Sequence, residues 1–499
     1  MPIIEYYTKH YDIMNKRYYV LSLLFCFVLM SIHAQSFQDY KRQQQQQYRQ
    51  YRSQTQKEYN EFRRKANEEY ASLMKQKWTP MNVRPAIPAP ALPEPPKPVV
   101  KENEEQPQKQ ELEVKKVVKP QEEYKAPDPV APIEKPIASD RPQWLFLFYD
   151  TPCYVHLNKD MKFRMSDATE ASAAAAWEIL SDAKFDNVIS DCLDLRKKLN
   201  LNDWGYISLL KELTTTFLTD GNEAVLMQMY ILTQSGYKVR IARTDQNKLV
   251  LLMPFSDDLY QYSYISKDNL KYYVLANVKN GASFSVFDRV FPKEKIANLR
   301  STSAPVLSFS ATRERDLTSK KYPQMSFKIK TNQNLIDYYN NYPVTDHWNF
   351  YANTSLSKDV KSALYPKLQQ VLQNKSKLEA VSMLLNFVQT AFEYQTDQQQ
   401  FGYERPLFAD ETLFYPYCDC EDRSILFSVL VKELLKLDVV LLYYPGHLAT
   451  AVCLPEDVKG AYLKIDGKNY TVCDPTYIGA SVGDCMPNYK QTQPEVVKL

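Results

Sequence analysis

Hydrophobic and polar residues divide this chain into stretches of different character, and each predicts a different kind of element. A basic pair, Lys16-Arg17, precedes an apolar run that ends shortly before Ala34, a small residue suited to cleavage. This order is typical of a secretory signal peptide over residues 1–34, so we expect export to the periplasm, the cell envelope or the medium. The run is slightly short for a membrane span, which makes an uncleaved anchor the less favoured alternative. Met14 is an alternative start to Met1.

Seven aromatic residues and one leucine then recur every eleven positions, in two series: Phe37, Tyr48, Tyr59 and Tyr70, and Tyr40, Tyr51, Phe62 and Leu73. Eleven residues make three helical turns, so the stripe stays on one face of a helix over 35–78. A narrow stripe on an isolated helix predicts self-association as a coiled coil, or docking at the envelope, through residues 36–78. A solvated, Gln-rich helix is the alternative.

Proline dominates the next stretch, residues 79–142, which holds half of the 30 prolines in the chain. Large apolar residues are sparse there, and too few to bury a core. The composition predicts a disordered linker, extended in its proline-rich part.

Core-forming patterns resume at residue 143. Helical periodicity over 169–196 and 205–235 leads into short alternating runs, which predicts an α/β domain over 143–300. Further strands and two helices predict a second folded region over 301–499. The expected fold class is α+β.

Composition excludes several classes of function. Lys and Arg number 62 against 59 Asp and Glu, so a net charge of +3 gives no case for nucleic-acid binding. Glycine is scarce and no phosphate-binding glycine motif occurs, which argues against a nucleotide enzyme. We expect no cofactor, no metal and no membrane span after signal cleavage. Seven cysteines follow the signal segment, so at least one thiol cannot pair within a monomer.

The most informative stretch surrounds Cys420. Apolar residues at helical spacing follow it, which places Cys420 at the N-terminus of a buried helix. Unpaired N–H groups and the helix dipole there favour a thiolate and can hold an oxyanion. His447 opens a later strand, and Asp474 ends another before Pro475. Cysteine, histidine and aspartate at element edges suit a nucleophile, a base and an orienting group.

Three short motifs contain these residues: Asp419-Cys420-Glu421-Asp422, Gly446-His447 and Cys473-Asp474-Pro475-Thr476. Over roughly residues 375–485 they resemble the transglutaminase-like superfamily, especially bacterial members with an Asp-Cys-Glu-Asp motif. The resemblance implies a papain-like core, in which a helix carrying the cysteine packs on an antiparallel sheet. Cys418 stands where that family usually has glycine.

The resemblance also implies roles for individual residues. Cys420 would be the nucleophile, His447 the base and Asp474 the orienting group, with Asp422 supporting the helix start. An upstream oxyanion donor is also expected. The candidates are Tyr403, Tyr415, Tyr417 and the run Gln398-Gln399-Gln400, of which Tyr403 is the one selected. A zinc site formed by Cys418, Cys420 and His447 is a minor alternative, because the spacing is not that of zinc fingers.

These expectations describe an exported cysteine enzyme that acts on a protein or peptide substrate. It would attack peptide or carboxamide bonds through a thioester, with hydrolysis favoured over cross-linking. The alternative is a non-catalytic binding or scaffold protein of the cell envelope.

A stretch of the first folded region is similar in sequence to the stretch around Cys420 in the second. An offset of 202 residues aligns Asp220 with Asp422 and places Leu218 over Cys420. We therefore hypothesise that residues 143–300 are a degenerate copy without a nucleophile. An ordinary α/β domain is the alternative.

Overall fold

The computed structural model describes residues 3–89, 99–101, 108–120, 125–131, 143–278, 281–345 and 347–499, with side chains from residue 39. Over these residues the fold is mixed α/β, with twelve α-helices and mainly antiparallel sheets. The helices are α1 (Ile3–Met74), α2 (Glu170–Leu180), α3 (Asp186–Lys198), α4 (Asp203–Leu218), α5 (Asn222–Gln234), α6 (Gln333–Asn340), α7 (Trp348–Asn353), α8 (Lys358–Leu372), α9 (Lys377–Thr390), α10 (Asp397–Gln400), α11 (Ala409–Phe414) and α12 (Cys420–Leu430).

Nineteen strands accompany these helices in the described ranges. They are β1 (Thr79–Asn82), β2 (Gln110–Glu111), β3 (Lys116–Val118), β4 (Trp144–Phe148), β5 (Thr151–Val155), β6 (Arg240–Arg243), β7 (Leu249–Pro254), β8 (Tyr264–Lys267), β9 (Leu270–Val274), β10 (Ser283–Phe287), β11 (Arg315–Thr318), β12 (Ser326–Ile329), β13 (Glu393–Tyr394), β14 (Tyr417–Cys418), β15 (Val439–Tyr444), β16 (His447–Val452), β17 (Ala461–Ile465), β18 (Lys468–Cys473) and β19 (Glu495–Lys498).

The chain forms two compact units, Met1–Lys65 and Ala66–Leu499. The predicted aromatic-repeat helix coincides with α1 over residues 35–74 and ends four residues before its predicted end at 78. Tyr40, Tyr48 and Tyr51 are exposed on it. The predicted signal peptide lies outside the residues whose side chains are described. Among the helices with described side chains, none is both long and apolar enough to cross a bilayer.

The last turns of α1 belong to the core of the second unit. The ring of Tyr70 packs edge-on against Phe287 and Phe291, with ring centroids 4.9 and 5.0 Å apart. Met74 is fully buried one turn later. The end of the helix is therefore fixed by burial of large side chains, which stabilises it far more than helix propensity does.

Two sheets organise the second unit. The N-terminal sheet is antiparallel, in the order β1-β10-β6-β7-β9-β8. The C-terminal sheet has the order β2-β17-β18-β16-β15-β19-β3, and only its outer strands β2 and β3 run parallel to their neighbours. The hydrophobic core does not divide at residue 300, since a single cluster includes Leu210, Tyr339 and Ile425.

The two sheets repeat one strand order. After α5 the chain builds β6-β7-β9-β8, and after α12 it builds β15-β16-β18-β17. Each helix packs on the second strand of its own set, and β10 or β19 joins the first strand antiparallel. The shared order supports the degenerate-copy hypothesis, which stays a prediction. The 202-residue offset does not match these helices. α5 begins at Asn222 and α12 begins at Cys420, whereas Leu218, which that offset aligns with Cys420, ends α4.

The proline-rich segment joins both sheets in its described parts. β1 pairs with β10, β2 with β17 and β3 with β19. Val83, Leu112 and Val130 are buried. These parts differ from the disordered linker that composition predicts. The reason is that edge pairing uses backbone N–H and C=O groups, so a few buried side chains suffice to hold the segment.

This packing predicts unequal effects of two substitutions in the segment. Leu112 packs against the C-terminal sheet, whereas Val117 is half-exposed on β3. We expect Leu112→Ala to lower the free energy of unfolding by about 2–3 kcal/mol. Val117→Ala should change it by less than about 0.5 kcal/mol. Urea unfolding measures both, and equal values would contradict a packed segment.

Candidate active site

Cys420 is the first residue of α12, as the apolar periodicity predicts. Asp422 lies in the first turn and is fully buried. Its carboxylate accepts the backbone N–H of Asp419 at 3.3 Å and that of Leu407 at 2.8 Å. Asp422 therefore fixes both the start of the helix and the loop that precedes it.

The first turn of α12 contacts the start of β16. Ser424 Oγ donates to the carbonyl oxygen of Leu448 at 2.8 Å, inside the core. The backbone N–H of Leu448 faces the Cys420 sulfur and favours its ionised form. These two contacts bring Cys420 beside His447, the first residue of β16.

His447 and Asp474 are hydrogen-bonded to each other. His447 Nε2 lies 2.8 Å from Asp474 Oδ2, and both residues are buried. Asp474 Oδ1 accepts the backbone N–H groups of Thr476 at 2.9 Å and Tyr477 at 3.2 Å, which fixes the carboxylate. His447 Nδ1 is buried and has no hydrogen-bond partner among the described residues. One imidazole nitrogen is thus held, while the other is available for a proton.

The loop after Asp474 is held by a residue that the sequence pattern does not reveal. Gln389, buried on α9, donates through Nε2 to the carbonyl oxygens of Asp474 (3.1 Å), Tyr477 (2.8 Å) and Ala480 (3.2 Å). A glutamine in an amphipathic helix carries no signal of such a role. Only the packing of α9 beside the loop that follows β18 gives it these partners.

The Cys420 thiol donates to Glu421 Oε2 at 3.1 Å. No hydrogen bond joins Cys420 to His447 within the part of the chain that the structure describes. Burial, followed by the carboxylates of Glu421 and Asp419, raises the pKa of the Cys420 thiol well above its usual value. This finding opposes the expectation of a thiolate from the helix terminus alone.

Buried carboxylates crowd the same turn. One oxygen each of Asp397, Asp419 and Glu421 lie within 4.8 Å of one another, and no ion pair to these three occurs among the described residues. Burial first, and then neighbouring carboxylates, raises the pKa of Asp397 to about 11. Burial raises the pKa of Asp422 to about 7. Carboxylate oxygens are ligands of hard cations, so these are the described residues whose geometry could hold one.

Two predicted residues lie apart from the site. Cys418 Sγ points toward the carbonyl oxygen of Glu393, 3.9 Å away, and forms no ligand group with Cys420 and His447. Tyr403 is 39% exposed and its ring lies 6.5 Å from that of Phe401. The structure gives Tyr403 no contact with Cys420, His447 or Asp474.

Other tyrosines surround the cysteine. Burial is the main cause of the raised pKa values of Tyr394, Tyr443 and Tyr489, and the nearby Cys420 raises each of them further. The ring of Tyr489 is stacked on the His447 imidazole, with centroids 5.0 Å apart and planes 14° apart. Sequence reasoning missed these rings because tyrosine is abundant throughout the chain.

Comparison of the chain with family models, with curated proteins and with solved structures found no match.

The buried carboxylates predict an unusual dependence of stability on pH. A carboxyl whose pKa is raised by folding contributes stability that is complete below its unfolded value and is lost as pH rises toward its folded value. For Asp422 this pH window runs from about 4 to about 7. For Asp397 it runs from about 4 to about 11. We expect the free energy of unfolding to be larger at pH 5.5 than at pH 8.

Asp397→Asn should reduce that difference by on the order of 2 kcal/mol, because a neutral amide replaces a carboxyl that resists ionisation. Urea unfolding at the two pH values measures it. Asp438→Asn, which changes a surface carboxylate paired with Lys468, is the matched control and should leave the difference unchanged. If the free energy of unfolding changes between pH 5.5 and pH 8 by the wild-type amount in both variants, the prediction is contradicted.

Proposed function

We propose that this protein is an exported, transglutaminase-like cysteine enzyme with a papain-like core. It would cleave peptide or carboxamide bonds through a thioester on Cys420. The observation that carries the proposal is one arrangement of three buried groups. Cys420 starts a helix that packs against the strand opened by His447, whose Nε2 is held by Asp474 and whose Nδ1 has no partner among the described residues.

These groups support acyl transfer by general base catalysis. The Cys420 thiol turns from Glu421 toward His447 and passes its proton to Nδ1. The sulfur attacks the carbonyl carbon, and the tetrahedral adduct collapses as the imidazolium returns the proton to the departing amine. Water attacks the thioester in the same way and releases the acid. Asp474 holds the imidazole and balances its positive charge.

The start of α12 supplies donors for the developing oxyanion. The first N–H groups of a helix lie outside its own hydrogen-bond ladder. In the first turn they are close to the sulfur, so a carbonyl oxygen attacked by Cys420 would face them. This assignment needs no side chain upstream and replaces Tyr403 as the source of the donor.

A second candidate function is binding without catalysis, and the thiol contact with Glu421 favours it. Cys420 is 3% exposed, and its thiol is held by a carboxylate. A scaffold would keep the sulfur protonated and inert. Reactivity of Cys420 therefore separates the two candidates.

The test is the alkylation rate of the purified full-length protein against pH, read by intact mass under non-reducing conditions. An activated pair gives rapid labelling at one site, which is lost in Cys420→Ala. His447→Ala should slow labelling about tenfold or more near neutral pH, because loss of the imidazolium raises the pH at which thiolate forms by at least about one unit.

Cys453→Ala is the matched control, since Cys453 is the half-buried thiol among the seven described cysteines, which are all free. It should leave the rapid phase unchanged. If Cys420 is not labelled until the protein is unfolded, the binding function replaces the enzymatic one.

A further inference from the structure

The imidazole of His447 is held on one face by an aromatic ring from another part of the chain. Tyr489 lies in the short turn Pro487–Tyr489, between β18 and β19. Its ring is nearly parallel to that of His447, and it also packs on Tyr444 with centroids 4.8 Å apart. Tyr444 is the cross-strand partner of His447, so Tyr489 covers both members of that pair.

A ring in this place acts on the imidazole in two ways. It blocks rotation about the Cβ–Cγ bond, so the unpaired Nδ1 keeps its direction while Asp474 holds Nε2. Its electron-rich face also stabilises a positive charge stacked on it. The stacked ring therefore favours the state in which His447 has taken a proton.

Titratable groups approach this pair from three neighbouring elements. Asp474 follows β18, Cys420 begins α12 and Tyr444 ends β15. Cys485, whose thiol contacts the Tyr444 hydroxyl, and Lys490 lie on the same segment as Tyr489. Asp474 is hydrogen-bonded to the same imidazole, so the contribution of Tyr489 is measured in a variant that leaves Asp474 intact.

The proline-rich segment holds the loop that carries this ring. The backbone of Ile478 exchanges two hydrogen bonds with that segment, one with Val99 at 2.9 Å and one with Lys101 at 3.0 Å. Lys101 Nζ pairs with Asp484 at 2.8 Å, and both side chains are largely buried. Val99 packs in the cluster that contains Tyr477 and Met486 and that Tyr489 joins. The position of Tyr489 thus depends on residues nearly four hundred positions earlier in the chain.

We propose that Tyr489 is a positioning residue of the candidate site, which keeps the His447 imidazole in its reactive plane and favours its protonated form. This inference rests on the proposed function for its importance in catalysis. The stacking itself is independent of it.

The test compares Tyr489→Phe with Tyr489→Leu. Phenylalanine keeps an aromatic face, whereas leucine covers the imidazole without one. We expect Tyr489→Phe to label Cys420 within about twofold of wild type, and Tyr489→Leu about fivefold more slowly below the midpoint of the pH profile. That midpoint should rise in the leucine variant by about 0.7 pH unit. Tyr154→Leu, at an exposed tyrosine on the β4–β5 hairpin, controls for a general effect of the change.

A second measurement does not need a reactive cysteine. NMR of ¹³C-labelled histidine follows the titration of His447, whose signal is assigned by its loss in His447→Gln. The midpoint should move to lower pH in Tyr489→Leu and stay near wild type in Tyr489→Phe. Identical titrations in all three proteins would overturn the inference. If the titration moves as expected while Cys420 is never labelled, the positioning role stands and the enzymatic proposal fails.

Discussion

The contact between the first turn of α12 and the first residues of β16 is the constraint on which the candidate site depends. The start of a helix offers N–H groups that have no partner within the helix. The start of a strand places its first side chain at the end of the sheet, where it can face a neighbouring element. The bond from Ser424 to the carbonyl oxygen of Leu448 joins these two ends inside the core. Because this hydrogen bond is buried, the folding of α12 and β16 brings Cys420 and His447 close together. Asp474 then needs only the β16–β18 pairing to reach the imidazole.

The contact between α12 and β16 also gathers acidic side chains in one buried turn. The turn that places Cys420 also buries Asp419, Glu421 and Asp422, each excluded from water. Isolated charges are costly in such surroundings, so protonation of these carboxyls and of the thiol is coupled. The state of the sulfur is thus set by the whole acidic cluster, which disfavours a thiolate at Cys420.

The sequence pattern is informative where elements begin and end. Apolar spacing after Cys420, the Pro-Gly pair before His447 and the proline after Asp474 place these residues at element boundaries, and the structure has them there. Gln389 and Tyr489 could not be found this way, because their partners are distant in sequence. The direction of the Cys420 thiol depends on a rotamer beside Glu421, which no periodicity encodes. The paired parts of the proline-rich segment were missed because backbone pairing at a sheet edge leaves almost no side-chain pattern.

The edge strands contributed by the proline-rich segment have a consequence for the order of folding. Lys116 pairs with Glu495, and Thr79 with Val286, so these segments are synthesised long before their partners. Contacts of such large sequence separation form slowly, because the entropy of closing the intervening chain is lost before they can stabilise anything. The loop that holds Tyr489 over His447 is among the parts tied down by this segment. In a nascent chain the candidate site around Cys420 would therefore stay unassembled until β19 is in place, late in folding.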